Sequence, residues 1–210
     1  MNVLINMNKY LLFFGATTLF NSSYAQEDLS SFDAITLTKA KKVSYSPFCP
    51  NESNQVVFYC NLARADGKKF VEFVLKPYLE YTGDTAYSEY LQSLIVQLNR
   101  QRELPMLKHC LWLEMMAKSY ATRAGKSGIT GHDRFDQRFA LLRILRKTCG
   151  ENCSYGIENP LEVVIQLLVD EGIKNLGHRK NILSHDFKRI GVGFAKHSNY
   201  DINCVQEFSD

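Results

Sequence analysis

Beyond its first 25 residues, the 210-residue chain has no stretch approaching the ~20 consecutive apolar residues of a membrane-spanning helix. A transmembrane helix is therefore not expected in the mature protein. Excess charge is also missing. The formal net charge is +3, with no basic stripe interleaved with aromatics, which argues against nucleic acid as a partner. No CxxC pair is present, so the common structural-zinc spacing is absent. HExxH and G-x-S-x-G are absent too, which removes the signatures of zincin peptidases and of nucleophile-elbow serine hydrolases. No internal repeat appears, and nothing asks for an organic cofactor.

What is present describes an exported globular protein. Hydrophobic residues are 45% and charged residues 22%, enough for a core and against global disorder. Residues 1–25, "MNVLINMNKYLLFFGATTLFNSSYA", place Lys9 before an apolar run from Tyr10 to Phe14 and end in S-Y-A. This is the pattern of a cleavable secretory signal, with cleavage after Ala25 and Met7 as an alternative start. The expected location is secreted or periplasmic. In such an oxidising space the six cysteines (Cys49, Cys60, Cys110, Cys149, Cys153 and Cys204) read as up to three disulfides. Local spacing favours Cys49–Cys60 and Cys149–Cys153, leaving Cys110–Cys204.

Residues 26–84 form an N-terminal accessory segment of unknown role. "QEDLSSFDAITLTKAKK" reads as an extended or loosely held arm, "VVFYC" as a short strand, and "DGKKFVEFVLKPYLEY" as a helix interrupted by Pro77. The second region, residues 85–210, is sharper. Tyr87, Tyr90, Leu91, Leu94, Ile95 and Leu98 mark one helical face, and Leu113, Met116, Ala117, Tyr120, Ala121 and Ala124 mark another. "NPLEVVIQLLVDEG" predicts a third helix with Asn159 as N-cap, Pro160 at the first position and a stop at Gly172. Ile190, Val192 and Phe194 alternate, as do Ile202 and Cys204, predicting a closing hairpin. Helices with antiparallel strands in no βαβ order give an α+β fold.

Three stretches gather glycine-flanked ionisable residues: "GHDRF" with His132, "GENCS" with Glu151, and "VDEGIKNLGHR" with Asp170, Glu171 and His178. Two imidazoles and one or two carboxylates, if the fold unites them, would suit zinc or another divalent cation. Spacing alone favours the plainer reading, in which each histidine is a hydrogen-bonded structural residue. Arg134 and Arg179 read as scaffold in surface ion pairs. His109, His185 and His197 receive no role.

The ordered set "LIVQLNRQRELPML", "GH", "GEN", a helix ending "DEG", "GHRKNIL", "IGVGF" and "CVQEF" resembles the CAP superfamily (the SCP domain of cysteine-rich secretory proteins, antigen 5 and pathogenesis-related proteins), in its bacterial-type branch. The resemblance implies an α-β-α sandwich with a small antiparallel sheet. It also implies a cleft with two histidines and two acids. Carried over, these are His132, His178, Glu151 and Asp170, with Glu171 as the alternative second acid. The histidines would be the metal ligands. Three functions follow as expectations. The first is a secreted binding module for a lipid, a sterol or an extracellular protein. The second is a peptidase-like hydrolase with Glu151 as base. In the third, the four residues are a purely structural network.

Overall fold

A computed structural model describes residues 29–83 and 88–210. The secretory signal and Tyr87 lie outside the described residues. After a 3-10 turn at Leu29–Ser31 come helix α1 (Ala34–Ser44) and helix α2 (Asn51–Ala65). Asp33 caps α1 by accepting the Thr36 N–H at 2.8 Å. The expected loose arm is thus a capped helix. "VVFYC" is not a strand but the middle of α2. Ser53, Val56, Val57, Cys60, Asn61 and Arg64 are buried at helical spacing, and that burial overrides the β-propensity of two adjacent valines.

Pro77 does not interrupt its helix either. Gly67–Phe70, a π-helical segment Val71–Leu75 and Lys76–Thr82 run consecutively as α3. The Lys76 N–H reaches back to the Val71 carbonyl, and this wider turn absorbs the proline. Helix α4 (Glu89–Arg100) starts at Ser88, whose hydroxyl accepts the Leu91 N–H at 3.2 Å.

Strand β1 (Lys108–His109) leads into α5 (Leu111–Ser127). There follow α6 (Phe135–Leu145), β2 (Cys149–Tyr155), α7 (Pro160–Val169), α8 (Gly177–Ile182), β3 (Arg189–His197) and β4 (Asp201–Ser209). Helix α6 had no counterpart in the sequence reading. Asn159 caps α7 by accepting the Leu161 and Glu162 N–H groups. That helix stops at Val169, short of Gly172, because Asp170 turns left-handed at φ 58°.

The sheet order is β1-β3-β4-β2. It is mixed rather than wholly antiparallel: β1 runs parallel to β3, and the other pairs are antiparallel. Helix α5 covers one face, packing Ala117, Tyr120, Ala121 and Ala124 on Cys153 and Val205. Ile190, Val192, Cys204 and Phe208 point to the other face. There they join Val56, Val57, Cys60, Phe70, Leu94 and Val164 in one core, so the helices of residues 51–82 share the core of the C-terminal region. The I-G-V-G-F alternation explains the first contact. A Cβ on Gly191 would stand 2.0 Å from the Glu114 nitrogen, and one on Gly193 would stand 2.4 Å from that of Lys118. Only glycine lets α5 lie this close to the sheet.

The expected disulfides are absent; all six cysteines are free thiols. Geometry rules out each expected pair, since a disulfide needs Cα atoms within ~7 Å. Cys149 and Cys153 lie four residues apart on one strand, ~13 Å. Cys60 is ten residues along α2, ~15 Å from the N-terminal end where Cys49 sits. Cys110 follows β1, and Cys204 is on β4 beyond the intervening β3, ~10 Å across.

Candidate functional site

The edge strand β2 organises a cleft. Its side chains alternate between faces, so Glu151 and Asn152 serve opposite layers. Glu151 pairs with Glu207 of β4 and faces α6. Asn152 faces α8 and donates to the His178 carbonyl at 3.2 Å, while Asn181 donates to the Asn152 side-chain oxygen at 2.8 Å and to the Glu151 carbonyl at 3.1 Å.

His132 comes from the loop after α5. The Tyr120 hydroxyl fixes this loop by donating to the Gly131 carbonyl at 2.6 Å and accepting the Asp133 N–H at 3.0 Å. The Tyr155 hydroxyl accepts the Gly131 N–H at 2.8 Å. His132 Nδ1 then meets Glu151 Oε1 at 2.8 Å. His178 opens α8. Its Nδ1 meets Asp170 Oδ1 at 2.7 Å, and its backbone N–H donates to Asp170 Oδ2 at 2.9 Å. The left-handed turn at Asp170 aims this short carboxylate at the next helix. The two rings approach to 6.3 Å between centroids, tilted by 40°.

The four residues therefore stand together as two carboxylate-backed imidazoles, one from each layer. The carboxylates are 1% exposed, against 48% for the His132 and 22% for the His178 side chain. Glu171 does not join them; it is exposed and accepts from the Ser88 hydroxyl at 2.5 Å. With each Nδ1 engaged, each Nε2 has no hydrogen-bond partner among the described residues.

Behind His132 lies a network that sequence reasoning missed. Arg138 of α6 donates to Glu151 at 2.5 and 2.8 Å and to Glu207 Oε1 at 2.9 Å. Its guanidinium lies 3.6 Å over the Tyr120 ring, a cation–π contact. Burial pushes the Glu151 carboxyl up, but hydrogen bonds from His132 and Arg138 outweigh it and hold the group below its ordinary value. Burial, then the neighbouring Glu151 charge, pushes Glu207 well above the carboxylate range. Its buried Oε2 has no hydrogen-bond partner among the described residues. The available signal for Glu207 was an acid at the same alternating parity as buried Val205. Arg138 carried no signal.

Cys153 Sγ stands 3.9 Å from His132 Nδ1 and donates to the Gly131 carbonyl at 3.3 Å. With His132 and Glu151 it forms a group whose ligand atoms lie within 4.8 Å of one another. Burial raises its thiol well above the ordinary value, which disfavours the thiolate. Arg179 is no surface ion pair. It is buried and donates to the Leu168, Val169 and Tyr90 carbonyls at 2.6 to 2.8 Å and to the Ser93 hydroxyl at 2.9 Å, joining α4, α7 and α8.

An α-β-α sandwich with paired histidines across the edge of its sheet defines a class of domain. The chain belongs to the CAP family, described as the cysteine-rich secretory protein family, whose model matches residues 60–208. The uncharacterized protein YkwD of Bacillus subtilis is 31% identical over an alignment covering 53% of this chain and 45% of that protein, so the chain spans less than half of that relative's length. Among solved structures, venom allergen-like protein 4 of Schistosoma mansoni aligns with TM-score 0.46 and 16% identity over 77% of this chain and 91% of that one. An outer surface protein of Borrelia burgdorferi aligns with TM-score 0.43 and 23% identity over 51% and 79%.

Proposed function

We propose that the protein is a secreted binding module whose cleft holds a divalent cation, zinc by donor type, through Nε2 of His132 and of His178. The observation that carries this reading is the use of each Nδ1. A carboxylate behind each imidazole fixes its tautomer and turns Nε2 outward, the arrangement that orients metal-ligating histidines. A zinc-bound imidazole has its nitrogen about 2.0–2.1 Å from the ion, and ring centroids 6.3 Å apart put both imidazoles within reach of one shared ion. The cation would supply a fixed positive charge at the cleft mouth for an acidic ligand group.

The geometry supports binding over hydrolysis. Glu151, the base a metallohydrolase would need, already accepts from Arg138 through both oxygens and pairs with His132. A carboxylate so engaged is a poor proton acceptor for a bound water. For a lipid, sterol or protein ligand, the apolar corner between α5 and α6 offers surface. Leu111, Trp112, Met115, Leu141, Ile144 and Leu145 are all exposed there, around the contact of Leu113 with Phe139 and Leu142.

The test is zinc titration of the protein followed through the imidazole nitrogen resonances. Joint shifts of Nε2 in His132 and His178, saturating together, are expected. Unmoved Nε2 signals in both rings would return the four residues to a structural role.

A further inference from the structure

His109, to which the sequence gave no role, sits at a second convergence. It ends β1; Cys49 precedes α2; Glu114 lies in the first turn of α5. His109 Nε2 is 3.0 Å from Cys49 Sγ and 2.5 Å from Glu114 Oε2, and Cys49 Sγ directly contacts the same carboxylate oxygen. The His109 and Glu114 side chains are 8% and 9% exposed, and Cys49 is half-buried. The Cys49 turn is itself fixed: Ser46 N–H donates to the Asn54 side chain at 3.0 Å, and Asn54 returns a bond to the Ser46 carbonyl at 3.1 Å.

The choice of ring nitrogen distinguishes two chemistries. A nucleophilic thiol relay puts the thiol on one imidazole nitrogen and the orienting acid on the other. Here thiol and acid both crowd Nε2, so no relay exists. Sulfur, nitrogen and oxygen instead meet around a single point, as ligands do around a small ion.

We propose that Cys49, His109 and Glu114 form a second, buried divalent-metal site of the zinc class, separate from the cleft. A thiolate, a neutral imidazole and a carboxylate carry two negative charges against a dication, and the thiolate selects zinc over magnesium or calcium. Three protein ligands leave one position of a tetrahedron for water. The metal would staple the turn ahead of α2 onto the start of α5.

The probe is Co²⁺ added to the full chain under a thiol-free reductant. A thiolate-to-cobalt charge-transfer band is expected, saturating at one equivalent in the His132→Ala/His178→Ala variant, whose cleft no longer competes for the ion. It should survive in the His132→Ala/His178→Ala variant and be lost in Cys49→Ser and in His109→Gln, each checked for folding by circular dichroism. As a readout that needs no variant, zinc should slow alkylation of Cys49 in the parent chain at least ten-fold, measured by mass spectrometry. No band in the parent, a band that persists in a folded Cys49→Ser or His109→Gln chain, loss of the band in the cleft double variant, or unchanged Cys49 alkylation would each overturn the proposal.

Discussion

The cleft and the Cys49 cluster both set imidazole beside a buried carboxylate, but they use different edges of the ring. In the cleft the acids take Nδ1 and leave Nε2 without a hydrogen-bond partner among the described residues. In the cluster both the acid and the thiol sit on Nε2. Exposure follows the same division: the His132 side chain is 48% exposed and that of His109 is 8%. A His–acid pair therefore has no single meaning. An acid on the far nitrogen presents the near one to a ligand; donors gathered on one nitrogen surround a point inside the protein.

The comparison can be broken most severely at Arg138, which stands behind the cleft only. Arg138→Met leaves Glu151 and Glu207 buried without their shared cation. A loss of about 3–5 kcal/mol is expected for such a broken buried ion pair, read by urea unfolding. Next comes Asp170→Ala, which removes bonds to His178 Nδ1 and to the His178 and Arg179 N–H groups. A cost of about 2 kcal/mol is expected from thermal melts. Loss of the carboxylate behind the ring should also weaken zinc at the cleft ~10- to 100-fold by NMR titration. Cys49 alkylation should not change, since Asp170 does not touch that cluster.

A subtler separation comes from Glu207. Its folded pKa is raised, so above the ordinary carboxylate value of 4.5 the unfolded chain ionises while the folded chain keeps its proton. Stability from this group thus falls as pH rises above that value. Glu207→Gln removes the loss and should stabilise the protein by about 1 kcal/mol near neutral pH, with the difference vanishing below about pH 4, by melts across pH. Glu151 has the opposite sign. Its folded pKa is lowered, so its contribution is present above the ordinary value and is lost as pH falls through the folded one. The smallest effect belongs to Glu171→Gln, at an exposed acid one residue from Asp170. Within about 0.5 kcal/mol of the parent and with unchanged zinc binding, it would separate the two acids.

Much of the C-terminal region was legible. Apolar spacing marked α4, α5 and α7, Asn159 marked a helix start, and alternation marked the closing hairpin. Helices α1 and α2 were not legible, because their buried faces are partly polar. Arg64 is fully buried and donates to the Pro105, Ile182, Ser184 and Phe187 carbonyls, tying α2 to distant loops. Burial lowers its pKa to about 10. An arginine in a sequence reads as surface, and only its carbonyl partners make it core. The cysteines misled for a related reason. Their even count fitted disulfides, but strand and helix geometry keeps each expected pair apart.

The sequence by itself determined the local elements with clean periodicity, and its ordered motifs pointed to the family, since period and motif order are properties of the chain alone. Tertiary structure alone decided which ionisable groups meet. It set Asp170 rather than Glu171 against His178 by a left-handed turn, gathered Arg138 and Glu207 behind Glu151, and brought Cys49, His109 and Glu114 to one point. Contacts between residues distant in the chain depend on strand register and helix packing, which no local pattern encodes.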